Sequence, residues 1–145
     1  MQTTMRWMTL ALCVATSARV ASAVDRIWSG VGGDANWSTA ANWGGTAPSA
    51  DDALYFGGAA RLTNTNDLSS GTSFAGIAFN SGAGAFTLMG NAVTLGGNVT
   101  NAASNTQTIN LPLILSGTRD FNASNGQIVV NGVLSGSGGL TKYGV

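Results

Sequence analysis

The chain has 145 residues, one domain's worth, with six Lys or Arg, six Asp, no Glu, no His and one cysteine, Cys13. Those counts exclude an imidazole base, a Ser-His-Asp or Cys-His nucleophile, a His/Cys metal set and a disulfide framework. Charged residues at 8% leave no basic footprint for nucleic acid. The first element in chain order is a leader over residues 1–23. Met1–Arg6 is cationic, Trp7–Thr16 is an apolar run, and Ser17–Ala23 is small and polar and ends Ala21-Ser22-Ala23. This A-x-A end predicts a secretory signal cleaved between Ala23 and Val24. The apolar run is too short to span a membrane, and no later stretch approaches membrane length.

Residues 24–75 follow as a Trp-rich lead-in. The segment carries Trp28, Trp37 and Trp43, then Pro48 and Asp51-Asp52-Ala53-Leu54-Tyr55-Phe56. From residue 76 to 145, period-two alternation replaces any helical pattern. Ile77 and Phe79, Phe86 and Leu88, Val93 and Leu95, Ile109 through Leu115, and Ile128 and Val130 each put apolar side chains on one face. Asn80-Ser81-Gly82, Gly96-Gly97-Asn98, Ser116-Gly117-Thr118 and Asn125-Gly126 read as the corners between them. Phe86 to Ile109 and Leu88 to Leu111 are spaced by 23 residues, and Ile109 to Val130 by 21. Blocks of that length with several short strands predict a right-handed parallel β-helix, a solenoid of about three coils. An antiparallel β-sandwich is the alternative, since it also has short, regularly spaced strands. The aromatic lead-in would cap the first coil, whose apolar column and strand edge would otherwise be open.

The chemistry-bearing residues are few. Asp51 and Asp52 are adjacent, so on a strand they would face opposite sides. A two-carboxylate site would need the fold to bring in Asp34, Asp67 or Asp120. Gly32-Gly33-Asp34-Ala35-Asn36 is a single Asp-bearing turn with too few oxygens for Ca²⁺. The expectation is therefore no catalytic residue, no metal and no cofactor. Arg61, Arg119 and Lys142 are scattered, and are expected to be solvated or paired with nearby Asp. Trp28, Trp37 and Trp43 either pack the cap or offer faces to sugar rings, with Asn36 and Asn42 as hydrogen-bonding neighbours. A glycan-binding module on those five residues is the alternative to a structural role.

The run Ser135-Gly136-Ser137-Gly138-Gly139-Leu140-Thr141-Lys142-Tyr143-Gly144 resembles the opening of the autotransporter-associated β-strand repeat, which typically begins G-G-L-T-K-x-G. Gly76–Asn80, Phe86–Gly90, Thr106–Asn110 and Val130–Gly132 are similar to the region that precedes the first such repeat. Trp28–Phe56 is similar to the W-x-G…W…NW…P…D lead-in of these proteins. The resemblance implies a non-catalytic, exported bacterial β-helical protein that serves as a structural or adhesion-type passenger. Many such proteins end in an outer-membrane barrel or a PEP-CTERM-type sorting tail. This sequence stops within the repeat signature with neither. The expectation is thus an N-terminal portion or truncated product, secreted or at the cell surface through the Sec pathway. Extracellular glycans or cell-surface molecules would be its partners.

Overall fold

The computed structural model describes residues 23–145. Apart from Ala23, the leader lies outside the described residues. The chain winds as a three-sided parallel β-solenoid of about four turns. β1 (Asp25–Trp28) leads to a 3₁₀ turn at Ala40–Trp43, and the coils follow. The first coil is β2 (Ala53–Phe56), β3 (Thr63–Asn66) and β4 (Thr72–Phe74). The second is β5 (Gly76–Phe79), β6 (Thr87–Gly90) and β7 (Val93–Leu95). The third is β8 (Val99–Asn101), β9 (Gln107–Ile109) and β10 (Leu113–Leu115). The fourth is β11 (Arg119–Ala123), β12 (Ile128–Val130) and β13 (Leu134–Gly136), and β14 (Leu140–Gly144) opens the next.

Each coil gives one strand to each of three sheets, ordered β1-β2-β5-β8-β11-β14, β3-β6-β9-β12 and β4-β7-β10-β13. Every pairing between these strands is parallel, which excludes the sandwich alternative. The stack reaches back to Ala53, so the first full coil lies inside the Trp-rich lead-in. That accounts for four turns where the apolar alternation alone suggested three.

In-register stacking sorts the side chains into columns. One inward column runs Arg26, Leu54, Ile77, Val99, Phe121, Lys142. Its neighbour runs Trp28, Phe56, Phe79, Asn101, Ala123, Gly144 and tapers from indole to hydrogen. In the second sheet Asn64, Leu88, Ile109 and Val130 stack. Leu88 therefore pairs with Ile109 rather than Leu111. The apolar stretch 109–115 is not one strand but two, broken by a corner at Asn110–Pro112. Pro112 has no N–H for a ladder, which suits a corner. A shift of two residues leaves the inward face unchanged, so the core residues stay as expected.

The buried carboxamides tie the corners to the core. Asn101 Nδ2 donates to the backbone oxygens of Asn105 at 2.9 Å and Gly126 at 2.9 Å, and its Oδ1 accepts from Ala103 N at 3.0 Å. Gln107 Oε1 accepts from Phe86 N at 2.9 Å, and its Nε2 donates to Gly84 O at 3.0 Å. Among the described residues no buried side-chain nitrogen or oxygen lacks a partner. Gly90 ends β6 at φ 102°, where a Cβ would overlap the Asn66 carbonyl of the coil below. Two substitutions separate the two kinds of cohesion. Phe79→Ala removes a fully buried ring and is expected to cost about 3–5 kcal/mol in urea unfolding. Asn101→Ala leaves corner carbonyls unpaired and is expected to cost about 1–3 kcal/mol. Equal, near-zero effects would contradict this packing.

Candidate functional site

The capped end is the most highly built part of the molecule. Residues 29–52 cross the outer edges of β3 and β4. Trp37 N donates to Thr65 O at 2.9 Å and Thr65 N to Ala35 O at 2.9 Å. On the other side Asp51 N donates to Ser73 O at 2.7 Å and Ala75 N to Asp52 O at 2.9 Å. Two of the three sheet edges at this end therefore carry cap backbone, which satisfies groups that would otherwise invite another strand.

Beneath that backbone lie the three indoles. Trp28 and Trp43 meet edge-on at 5.0 Å between centroids, and Trp37 and Trp43 at 6.0 Å. Each ring nitrogen has an internal acceptor: Ala60 O for Trp28, Asn64 Oδ1 for Trp37 and Trp37 O for Trp43. Their relative exposures are 2%, 0% and 5%, which leaves no ring face for a sugar. Asn42 is buried as well. It accepts from Gly32 N at 2.8 Å and donates to the carbonyls of Asp34 at 3.1 Å and Asn36 at 3.0 Å. Asn36 is half-buried in the Asp34 turn. The five residues considered for glycan contact thus come together, but Trp28, Trp37, Trp43 and Asn42 form the inside of the cap, with Asn36 at its surface. Trp spends its large area on burial here, and the Asn42 carboxamide satisfies backbone, whereas that of Asn36 reaches the Asp34 carboxylate.

The aspartates serve separate local tasks. Asp34 Oδ1 accepts from Asn36 N at 3.0 Å and Oδ2 from Thr39 Oγ1 at 2.9 Å. The Asn36 N–H, followed by the Thr39 hydroxyl, holds its carboxyl below the ordinary value. Asp67 accepts from Ser38 N at 2.8 Å and from the Ser38 hydroxyl. Asp51 is exposed at φ 69°, and Asp120 is half-buried on β11. No three acidic side chains among the described residues converge as a metal site would require.

Of the three scattered cations, Arg61 and Lys142 are exposed, as solvated cations would be, and Arg119 is half-buried. Arg61 donates to Gly30 O and Gly32 O, Arg119 to Leu95 O and Ser116 Oγ, and Lys142 to Gly144 O, rather than to Asp. Among the described residues the ion pair that forms is Arg26–Asp52, at 2.7 Å between Nε and Oδ2. Asp52 also accepts from Ser49 N at 2.9 Å, Ser49 Oγ at 3.0 Å and Val24 N at 3.1 Å. Burial pushes its carboxyl up, but the Arg26, Ser49 and Val24 bonds together outweigh that and hold it below the ordinary value. This cluster had no signal of its own in the sequence. The register that puts Arg26 beside Leu54 brings Asp52, two residues before Leu54, within reach of the guanidinium.

The outer faces carry polar ladders. Thr63, Thr87 and Thr108 stack on the second sheet, and Ser73 and Thr94 on the third. At the other end, Phe121, Ile128, Val130, Leu134 and Leu140 line an open hollow of about 190 Å³. No helix among the described residues is long and apolar enough to cross a membrane. Comparisons with protein-family models, curated proteins and solved structures give no match.

Two predictions come from this end. The chain Val24–Val145 holds three tryptophans, and acrylamide should quench them several-fold less in the native state than in urea; equal quenching would place the indoles outside. Asp52 has a depressed folded value, so its contribution is complete above the unfolded value of about 3.9 and is lost as pH falls through the folded one. Asp52→Asn is expected to flatten the acid side of the stability profile, read by urea titration below about pH 5. An unchanged acid profile would show that the pair contributes nothing.

Proposed function

We propose that this protein is an exported bacterial β-solenoid, secreted or displayed at the cell surface, and that it acts as a non-catalytic structural or adhesion-type passenger. The observation that carries this reading is the uninterrupted stack of in-register coils. Their outer faces carry short polar ladders, Thr63-Thr87-Thr108 and Ser73-Thr94, and their inner columns are closed by aliphatic and aromatic packing with hydrogen-bonded Asn and Gln among it. Such a rod presents an extended surface, and each coil needs only its neighbours for stability. The A-x-A leader and the resemblance of residues 135–144 to the autotransporter-associated repeat support export and surface display. The glycan alternative on Trp28, Trp37 and Trp43 draws no support from their placement inside the cap.

The test is expression of the whole chain with its own leader in a Gram-negative host, followed by fractionation and intact mass. The expected product begins at Val24 and lies outside the cytoplasm, while a chain lacking residues 1–23 stays inside. Full-length protein retained in the cytoplasm would contradict the proposal.

A further inference from the structure

The residue immediately after the A-x-A boundary is fixed through both of its backbone polar atoms. Val24 O accepts from Ala53 N at 3.0 Å, and Val24 N donates to Asp52 Oδ1 at 3.1 Å. The two ends of this contact differ in their access to water. Val24 is 44% exposed, whereas Asp52 is 2% exposed. The oxygens of Asp52 are unequally used. Oδ2 takes Arg26 Nε, Ser49 N and Ser49 Oγ, whereas Oδ1 takes the Val24 N–H. The charged residues next to the contact in sequence are Asp25 and Arg26, which follow Val24, and Asp51, which precedes Asp52; Asp25 and Asp51 are exposed, and Arg26 is the one that bonds Asp52.

We propose that hydrolysis of the Ala23–Val24 bond turns this neutral contact into a second ion pair, with the new Val24 α-ammonium docked on Asp52 Oδ1. Water adds across the peptide bond and the C–N bond breaks. Ala23 leaves as a carboxylate, and Val24 keeps the proton as an ammonium. One N–H stays on Asp52, and the remaining two face water, as the exposure of Val24 permits. The pair spans Val24 to Asp52 and so closes the whole cap segment over the first coil. Processing then does more than release the protein. It adds a charge-assisted bond at the seam between β1 and β2 that the uncleaved chain lacks. The inference rests on the leader reading above.

The sign of the effect is fixed. An α-amino group ordinarily titrates at about 7.7–8.0, and a carboxylate partner raises the folded value. Its stabilisation is complete below the unfolded value and is lost as pH rises through the folded one.

The experiment takes the exported product, checks its N-terminus by mass spectrometry, and follows reaction of the α-amine with an acylating reagent against pH. For a product beginning at Val24, the amine should react about tenfold more slowly at pH 8 in the native state than in urea. Its melting temperature should exceed that of the same chain α-N-acetylated at neutral pH. That gap should close as pH rises through the folded value. Asp52→Asn should restore ordinary amine reactivity. Should Asp52→Asn fail to fold, the acetylated chain keeps the comparison, since it retains the N–H and loses the charge. A Val24 amine that titrates at its ordinary value, with no melting gap, would overturn the anchor alone. A product with a different N-terminus would overturn the leader reading and the proposal with it.

Discussion

Phe56 is the joint on which the rest of the structure depends. Its ring lies 6.1 Å from Trp28, 5.9 Å from Trp37 and 5.6 Å from Trp43, all in the cap or on β1. On the opposite side it lies 5.5 Å from Phe79 and 5.4 Å from Phe86, both in the second coil. One fully buried ring therefore couples the cap to the solenoid. Aromatic pairs of this kind contribute about 0.5–1.5 kcal/mol each beyond the area they bury. A coil cannot bury its own inward face, so an unassisted first coil would have water on one side. The cluster around Phe56 supplies that missing layer.

From that joint the molecule changes character along its axis. The column that begins with Trp28 and Phe56 passes through Asn101 to Ala123 and Gly144, so ring packing gives way to hydrogen-bonded corners. Asn101 ties the corners of the third and fourth coils by binding Asn105 O and Gly126 O, and Gln107 ties the third coil to Gly84 O and Phe86 N of the second. By the fourth coil, Ile128 and Val130 are half-buried and Leu134 is 44% exposed. Cohesion therefore declines from the capped end toward β14.

Much of this was legible in the sequence, for a physical reason. Strands that bury one face must alternate, so β5, β7, β10 and β12 show as paired apolar residues, Leu88 of β6 pairs with Phe86 just before it, and Gly and Asn mark the corners. β3 was not legible because its inward residues are Asn64 and Asn66, whose carboxamides bond the Trp37 ring nitrogen and Asn91 O and break the apolar pattern. The 109–115 stretch misled because alternation continues across the Asn110–Pro112 corner without a change of phase. The burial of Trp28, Trp37 and Trp43 was one of two readings of their type. What decided it was the cover of residues 29–52, a matter of tertiary path. The Arg26–Asp52 pair depends on register across a long loop, and charge identity alone could not bring those two residues together.

A stack nucleated on an aromatic cap makes a direct claim about where stability resides. Native-state amide hydrogen exchange, resolved by strand, tests it. Local opening free energies should be highest in β2, β5 and β6, which surround Phe56, and should fall progressively through β11 to β14. Uniform protection along the axis, or slowest exchange in β11 to β14, would contradict the account.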